Sequence, residues 1–331
     1  MSPLPPWTTR AAALALALTL AACTARRPPA DQVSTERRMR VVTTVLPITL
    51  FTRAVAGDCA TVTALIQPNA SPHDVQAKPG DLTALRQAKV LVKNGLGMEH
   101  FLDKLVAAAD NPRLTVIDSS RNVAPIATAT KEEDHHHAPG HAHGAVNPHI
   151  WLDPLRAVEQ VEAIRDGLVK ADPACADAYK RNAAAYIAQL RQLNSALARQ
   201  LKPYAGKTFI AFHDVAPYFA QRYGLKAIFL VDVPELNPSP ADLRRVASAV
   251  RQSQLKALMS EPQEGPGSFN TLAQDLGLRI HVFDPLETGS EATSRDPATY
   301  GQVMRRNVAG LVQAFGGGGG TASGHGGAEV P

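Results

Sequence analysis

Residues 174–201 read ACADAYKRNAAAYIAQLRQLNSALARQL, and this stretch decides how the rest of the chain is arranged. Its apolar positions recur every three or four residues, which predicts a helix with one continuous apolar face. These positions are Tyr179, Ala183, Tyr186, Leu190, Leu193 and Leu197. A helix of about 28 residues is about 42 Å long, which is more than one small domain needs. We therefore predict two domains joined by a rigid linking helix over 174–202.

Short β-branched runs alternate with helical stretches on both sides of this helix. The predicted strands are Val41–Val45, Ala60–Ile66, Val90–Lys93, Leu114–Asp118, Thr208–Phe212, Lys226–Val231, Ala257–Ser260 and Arg279–Phe283. The predicted helices are Ile48–Ala56, Asp81–Ala88, Glu99–Ala109, Pro154–Lys170, Val215–Tyr223, Pro240–Gln254, Ser268–Leu276 and Pro297–Phe315. This alternation indicates βαβ units and parallel sheets. The predicted fold class is α/β, with an N-terminal lobe over 40–173 and a C-terminal lobe over 203–315.

The N-terminus predicts export. Arg10 precedes the apolar run 11–22, which is too short to span a membrane and has the length of a signal-peptide core. Leu20-Ala21-Ala22-Cys23 resembles a bacterial lipobox, which implies removal of residues 1–22 and acylation of Cys23. An ordinary secretion signal cut nearby is the alternative. Residues 23–39 would then be a polar tether, and we expect a lipid-anchored protein in the periplasm or at the cell surface.

Charge and motifs exclude several classes of function. The formal net charge of +4 is modest for 331 residues, and no basic stripe is interleaved with aromatic residues, which argues against a nucleic-acid partner. The sequence contains no HExxH helix, no GxSxG elbow and no phosphate-binding glycine motif in a strand–turn–helix context. The glycine-rich segment 316–331 predicts a flexible tail.

Two cysteines remain beyond Cys23, namely Cys59 and Cys175. An export compartment permits a disulfide between them. The sequence alone leaves the pairing open, because it does not give the distance between the two Cα atoms.

Six of the eleven histidines fall between Lys131 and Pro154. The segment 131–146 consists largely of glycine, proline, alanine, histidine and acids, a composition that builds no core and predicts a loop rich in metal-binding side chains. Its candidate auxiliary metal ligands are His135, His136, His137, His141 and His143. A tag or an incidental polar loop is the alternative, but the run is interior and leads into the ordered-looking stretch 149–154.

Four candidate ligands follow predicted strands. Open parallel sheets bind ligands at the carboxyl ends of their strands. The candidates there are His73, His149, His213 and Asp284, two from each half of the chain. Singly, such residues are usually structural histidines or turn-forming aspartates. Together, three imidazoles and one carboxylate suit tetrahedral Zn²⁺, with Glu261 and Asp153 as candidates for outer support.

Five stretches resemble one known family, the metal-binding subunits of bacterial ABC importers for zinc and manganese. They are Pro68-Asn69-Ala70-Ser71-Pro72-His73-Asp74, Asn147-Pro148-His149-Ile150-Trp151-Leu152-Asp153-Pro154, Phe212-His213-Asp214, Ser260-Glu261-Pro262-Gln263 and Val282-Phe283-Asp284-Pro285-Leu286. The resemblance implies two α/β lobes, each with a four-stranded parallel sheet, joined by one rigid helix. It places the family's ligands on the same four residues. A histidine at the third position, together with the histidine-rich loop, favours zinc over manganese.

The resemblance implies capture of Zn²⁺ outside the inner membrane and delivery to an ABC permease, by a monomer that is not an enzyme. Manganese import and metal-dependent surface adhesion are the alternatives. A zinc hydrolase with Asp284 as its base is a further alternative. Because histidine ligands must lose a proton to bind metal, we expect the metal affinity to fall as the pH drops through about 6.

Overall fold

The computed structural model describes residues 38–128, 145–234, 236–262 and 267–317. The predicted signal peptide, the part of the predicted tether up to residue 37 with the predicted acylation site Cys23, and the candidate auxiliary ligands His135, His136, His137, His141 and His143 lie outside these residues. The last residue of the predicted tether, Met39, is instead the first residue of a strand. No helix in the described part of the chain combines the length and the apolar character that a membrane crossing requires.

The N-terminal lobe is built on a four-stranded parallel sheet. Its elements are β1 Met39–Thr43, α1 Leu46–Ala56, β2 Ala60–Ala64, α2 Pro79–Gln87, β3 Val90–Lys93, α3 Leu102–Ala109, β4 Thr115–Asp118 and α4 Pro154–Ala171. The strand order is β2-β1-β3-β4, and Val41 of β1 pairs with both Val62 and Val90.

The C-terminal lobe repeats this arrangement. The linking helix is α5 Ala176–Leu201, and after it come β5 Thr208–His213, α6 Pro217–Tyr223, β6 Lys226–Val231, α7 Pro240–Ser253, β7 Ala257–Ser260, α8 Ser268–Asp275, β8 Arg279–Val282, α9 Glu291–Arg295 and α10 Ala298–Ala314. The order β6-β5-β7-β8 is that of the first sheet. The predicted fold class is confirmed.

Central strands of both sheets are apolar on both faces, since helices cover each side of a parallel sheet. The first three residues of β3 and the last five of β5 are buried, and neither strand alternates between apolar and polar residues. Helix α4 comes especially close to β4: a Cβ added at Gly167 would clash with Cδ1 of Ile117. Glycine at this position therefore sets the distance between the helix and the sheet.

The two lobes share one hydrophobic core around α5. The apolar positions of this helix that define its predicted face are all buried. Phe51 of α1 packs edge-on against Tyr300 of α10 with ring centroids 5.1 Å apart, and the Tyr186 hydroxyl donates to the carbonyl of Pro297. A wide opening of the lobes would therefore expose buried apolar surface, which is costly.

A disulfide joins Cys59 to Cys175, with Cα atoms 6.2 Å apart. Cys59 ends the short 3₁₀ turn after α1, and Cys175 is the residue before α5. The bridge fixes the first end of the linking helix to the N-terminal lobe.

Several element boundaries differ from prediction. Val45 caps α1 in an extended conformation instead of ending β1. Helix α3 begins at Leu102 and not at Glu99, because the Glu99 carboxylate accepts the backbone N–H groups of Asn94 and Gly95. The short helix α9 was not predicted; the Ser290 hydroxyl caps its first turn.

Candidate metal centre

Three histidines and one glutamate converge at the carboxyl ends of the strands. His73 lies in the loop after β2, and His149 immediately precedes the short turn that leads into α4. His213 ends β5, and Glu287 lies in the loop after β8. One potential ligand atom from each of these four residues lies within 4.8 Å of the others, and all except His73 are fully or almost fully buried. The cleft thus receives two side chains from each lobe.

Glu287 occupies the position that the sequence assigned to Asp284. Asp284 does not join the group; its Oδ1 accepts the N–H of Leu286 at 2.8 Å, and its backbone is paired with the Asn307 amide. This tight turn, with Leu286 at a φ of 61°, carries the chain from the end of β8 to Glu287. The strand-end rule selected the first acid after the strand, whereas the turn presents the second.

The Glu287 carboxylate lies at the centre of the three imidazoles. Its Oε1 is 2.8 Å from Nε2 of His73, 2.8 Å from Nε2 of His149 and 3.5 Å from Nε2 of His213. Its other oxygen, Oε2, is buried and accepts no hydrogen bond from the residues that the structure describes. A buried carboxylate with one oxygen beside three ring nitrogens and the other unsatisfied is an arrangement that a cation would complete.

The surroundings of His149 also fit a metal ligand. Its Nδ1 lies 3.0 Å from Oδ1 of Asn147, and its Nε2 faces Glu287. Burial lowers the pKa of His149 to about 4, against the opposing effect of Glu287, so the ring is neutral at pH 7. A neutral imidazole has one N–H, yet two acceptors face it. If a cation binds Nε2, the single proton lies on Nδ1, and this N–H donates to Oδ1 of Asn147.

His213 has a stronger orienting partner. Oε1 of Glu261, the residue after β7, accepts both the backbone N–H of His213 at 3.1 Å and its ring N–H at Nδ1 at 2.6 Å. Burial lowers the pKa of His213, but the charges of Glu261 and Glu287 outweigh burial and raise it to about 10. Glu261 thus lies where outer support was predicted.

The neighbouring histidines favour the ionised form of Glu287. Burial alone would raise its pKa, but the nearby His73 and His213 outweigh burial and keep the pKa well below its usual range. Asp284, by contrast, has its pKa raised by burial, and the charges of Glu261 and Glu287 add to the rise.

Asp153, the second predicted supporting residue, lies elsewhere. Its Oδ1 caps α4 by accepting the N–H of Leu155 at 2.9 Å and also accepts Nε–H of Arg222 at 2.7 Å. Arg222 belongs to α6 in the other lobe. Asp153 therefore ties the lobes together instead of supporting a ligand of the site.

Contacts between the lobes hold the Glu287 loop in place. The indole N–H of Trp151 donates to the carbonyl of Pro285 at 2.8 Å, and the backbone N–H of Gly289 donates to the carbonyl of Pro68 at 2.6 Å. The Tyr300 hydroxyl in turn donates to the carbonyl of Trp151. These bonds flank Glu287 on both sides and fix the loop against the lobe that carries His73 and His149.

Two α/β lobes on a rigid helix, with three histidines and a carboxylate gathered in their cleft, define the class of the protein as a substrate-binding protein of the metal-binding kind. The family model of ZnuA, the periplasmic component A of zinc-uptake complexes, matches residues 41–314. The chain belongs to this zinc-uptake family, and the family assignment made from the sequence is confirmed.

Named relatives agree with this assignment. The chain is 31% identical over 299 residues to the zinc-binding lipoprotein AdcA of Streptococcus pneumoniae, covering 90% of this chain and 58% of AdcA. It is 31% identical over 267 residues to the high-affinity zinc uptake system protein ZnuA of Yersinia pestis, covering 75% of this chain and 83% of that protein. The chain thus spans less than two thirds of AdcA.

A solved structure with the same fold contains zinc. The Zn(II)-bound ZnuA-like domain of Streptococcus pneumoniae AdcA superposes with a TM-score of 0.69 at 30% identity, covering 84% of this chain and 98% of that domain. The match covers nearly the whole of that domain.

Proposed function

We propose that this protein captures Zn²⁺ outside the inner membrane and delivers it to an ABC permease, with the ion held by His73, His149, His213 and Glu287. The observation that carries the proposal is the convergence of three imidazoles and one carboxylate within 4.8 Å. Nitrogen and oxygen ligands of this kind suit Zn²⁺ in four-coordinate geometry. Membership of the zinc-uptake family supports the same metal.

The charges of the site match a divalent ion. Glu287 supplies one negative charge directly, and Glu261 supplies a second through its hydrogen bond to Nδ1 of His213. Two negative charges balance the charge of Zn²⁺, so the buried site becomes neutral when the ion binds. A neutral site avoids the large cost of leaving a net charge buried.

The ligand set favours capture over catalysis. Four ligands from the protein fill a tetrahedral zinc shell, whereas catalytic zinc sites keep one position open for water. The aspartate that would have served as a hydrolytic base, Asp284, is engaged in its turn with Leu286. Three imidazoles also suit zinc better than manganese, which prefers oxygen ligands.

Export and anchoring complete the proposal. Acylation of Cys23 would attach the protein to the membrane, and the relative AdcA is itself named a lipoprotein. The protein would act as a monomer beside its permease. The histidines of segment 131–146 would gather zinc through weak, exchangeable binding.

A competitive titration tests the proposed function. We expect the metal-stripped protein to take up one Zn²⁺ tightly and to bind Mn²⁺ far more weakly, since zinc exceeds manganese in intrinsic affinity for imidazole sites. Deleting residues 131–146 should leave this single tight site in place. Tighter binding of Mn²⁺ than of Zn²⁺, or loss of the tight site on deletion, would contradict the proposal.

Zinc affinity is expected to rise with pH over a wider range than ordinary histidines would give. With its pKa raised to about 10, His213 is protonated at neutral pH and must lose that proton when zinc binds. Between pH 7 and 9 the affinity should therefore increase roughly tenfold per pH unit. Chelator competition at a series of pH values measures this slope.

Glu261→Gln provides the control for the pH dependence. The amide still accepts a hydrogen bond, but the substitution removes the charge that raises the pKa of His213. The pH range over which the zinc affinity changes should therefore move toward that of an ordinary histidine. The slope above pH 7 should then become shallower. If the zinc affinity of the unaltered protein is constant between pH 7 and 9, this explanation is wrong.

A further inference from the structure

One amide, that of Asn147, lies between the ligands of the two lobes. Its Oδ1 accepts the backbone N–H of His149 at 3.0 Å and faces the ring Nδ1 of the same residue at 3.0 Å. Its Nδ2 donates to the carbonyl of Asp214 at 2.7 Å and to Oδ2 of Asp214 at 3.1 Å. Asp214 is the residue directly after His213. The amide therefore connects a ligand of one lobe to the neighbour of a ligand in the other.

Tyr218 of α6 binds the backbone of Asn147. Its hydroxyl donates to the carbonyl of Asn147 at 2.6 Å and accepts the N–H of Ile126 at 2.9 Å. The side chain is fully buried, and the guanidinium of Arg156 lies over its ring, 4.5 Å from the centroid. Asn147 and Ile126 are themselves paired, since the N–H of Asn147 donates to the carbonyl of Ile126.

We propose that Asn147 and Tyr218 are positioning residues that make the orientation of the His149 ring depend on the position of α6. Movement of α6 away from the N-terminal lobe would then weaken the zinc site and favour release of the ion. This inference rests on the proposed function, because it concerns the same site.

The physical reason is the geometry of an imidazole ligand. A histidine binds metal only when the lone pair of one nitrogen points at the ion, and a hydrogen bond from the other nitrogen fixes both the tautomer and the ring orientation. The acceptor for His213, Glu261, comes from its own lobe. The acceptor for His149 is held by Asp214 and Tyr218 of the opposite lobe, so His149 is the ligand that responds to displacement between the lobes.

Substitutions of residues that are not themselves proposed ligands test the inference. We expect Asn147→Ala to lower the zinc affinity roughly 10- to 100-fold, as loss of an orienting partner does. Tyr218→Phe removes one hydroxyl and should lower the affinity about fivefold. If Tyr218 acts through Asn147, the double variant should lose no more than Asn147→Ala alone. Zinc affinity and dissociation rate are measured by chelator competition.

Tyr223→Phe is the matched control on the same helix. The Tyr223 hydroxyl is buried but has no hydrogen-bond partner in the described part of the chain, so its removal should leave zinc affinity unchanged. The visible absorption of bound Co²⁺ adds a readout of ligand geometry. We expect it to change in Asn147→Ala and Tyr218→Phe and to match the unaltered protein in Tyr223→Phe.

The results distinguish a failure of this inference from a failure of the proposed function. If the unaltered protein binds one zinc tightly but Asn147→Ala and Tyr218→Phe bind zinc and Co²⁺ as it does, the positioning role is refuted and the proposed function stands. Losses in the double variant that multiply would also refute it, because the two residues would then act independently. Failure of the unaltered protein to bind zinc would refute the proposed function itself. If Asn147→Ala does not fold, Tyr218→Phe still decides the matter.

Discussion

Glu287→Gln is expected to lower the zinc affinity by more than about a hundredfold, which exceeds the loss that outer-sphere substitutions cause. Oε1 of Glu287 is 2.8 Å from Nε2 of both His73 and His149, so Glu287 lies directly among the side chains that we propose as ligands. A neutral amide oxygen is a weaker ligand for zinc than a carboxylate, and the substitution also leaves one positive charge of the buried ion uncompensated. Competition with a chromophoric chelator measures the loss.

Asp284→Asn is the matched control for this substitution. It makes the same chemical change in the same loop, and its carboxylate contacts the N–H of Leu286 instead of the ligand group. Because an asparagine oxygen can accept the same hydrogen bond, we expect the zinc affinity to stay within about threefold. Loss of zinc binding in Asp284→Asn together with tight binding in Glu287→Gln would restore Asp284 as the ligand and remove Glu287.

The fold was predictable because two periodicities in the sequence are strong. The spacing of apolar residues in 174–201 predicted the linking helix, and its buried face consists of those positions together with Leu201. Alternation of β-branched runs and helical stretches predicted all eight strands of the two sheets. Boundaries were less predictable where a side chain competes with the backbone, as Glu99 does by binding the N–H groups of Asn94 and Gly95.

The clustering of the three histidines was predictable, because the ends of parallel strands meet at one edge of a sheet. His213 lies at the end of a strand that the pattern defines, and His73 and His149 lie in the loops after the second and fourth predicted strands, so the strand-end rule selected all three. Glu287 was missed because the turn at Asp284 moves the acid that faces the histidines three residues along the chain, and nothing in local spacing distinguishes the two acids. The contacts that Asn147 makes between the lobes were also hidden, because its partners Asp214 and Tyr218 are 67 and 71 residues away in the chain.

Removing the disulfide is expected to have the largest effect on stability. Cys59 and Cys175 are 116 residues apart, and a cross-link of that span lowers the entropy of the unfolded chain by an amount worth up to about 5 kcal/mol at 25 °C. The variant Cys59→Ser with Cys175→Ser should therefore unfold at a markedly lower denaturant concentration. Urea unfolding of the metal-free variant and of the unaltered oxidised protein measures the difference, and reduced protein should resemble the variant.

Measuring the stability loss of the disulfide variant with and without zinc shows whether the disulfide acts on the unfolded chain or on the metal site. The bridge lies between α1 and α5 and includes none of the four proposed ligands, so the variant should bind zinc with nearly the affinity of the unaltered protein. Saturating zinc stabilises both proteins through binding to the folded state, by an increment that depends only on zinc concentration and affinity. The difference in free energy of unfolding should consequently be the same with and without zinc. A difference that changes when zinc is added would mean that the disulfide acts through the geometry of the cleft.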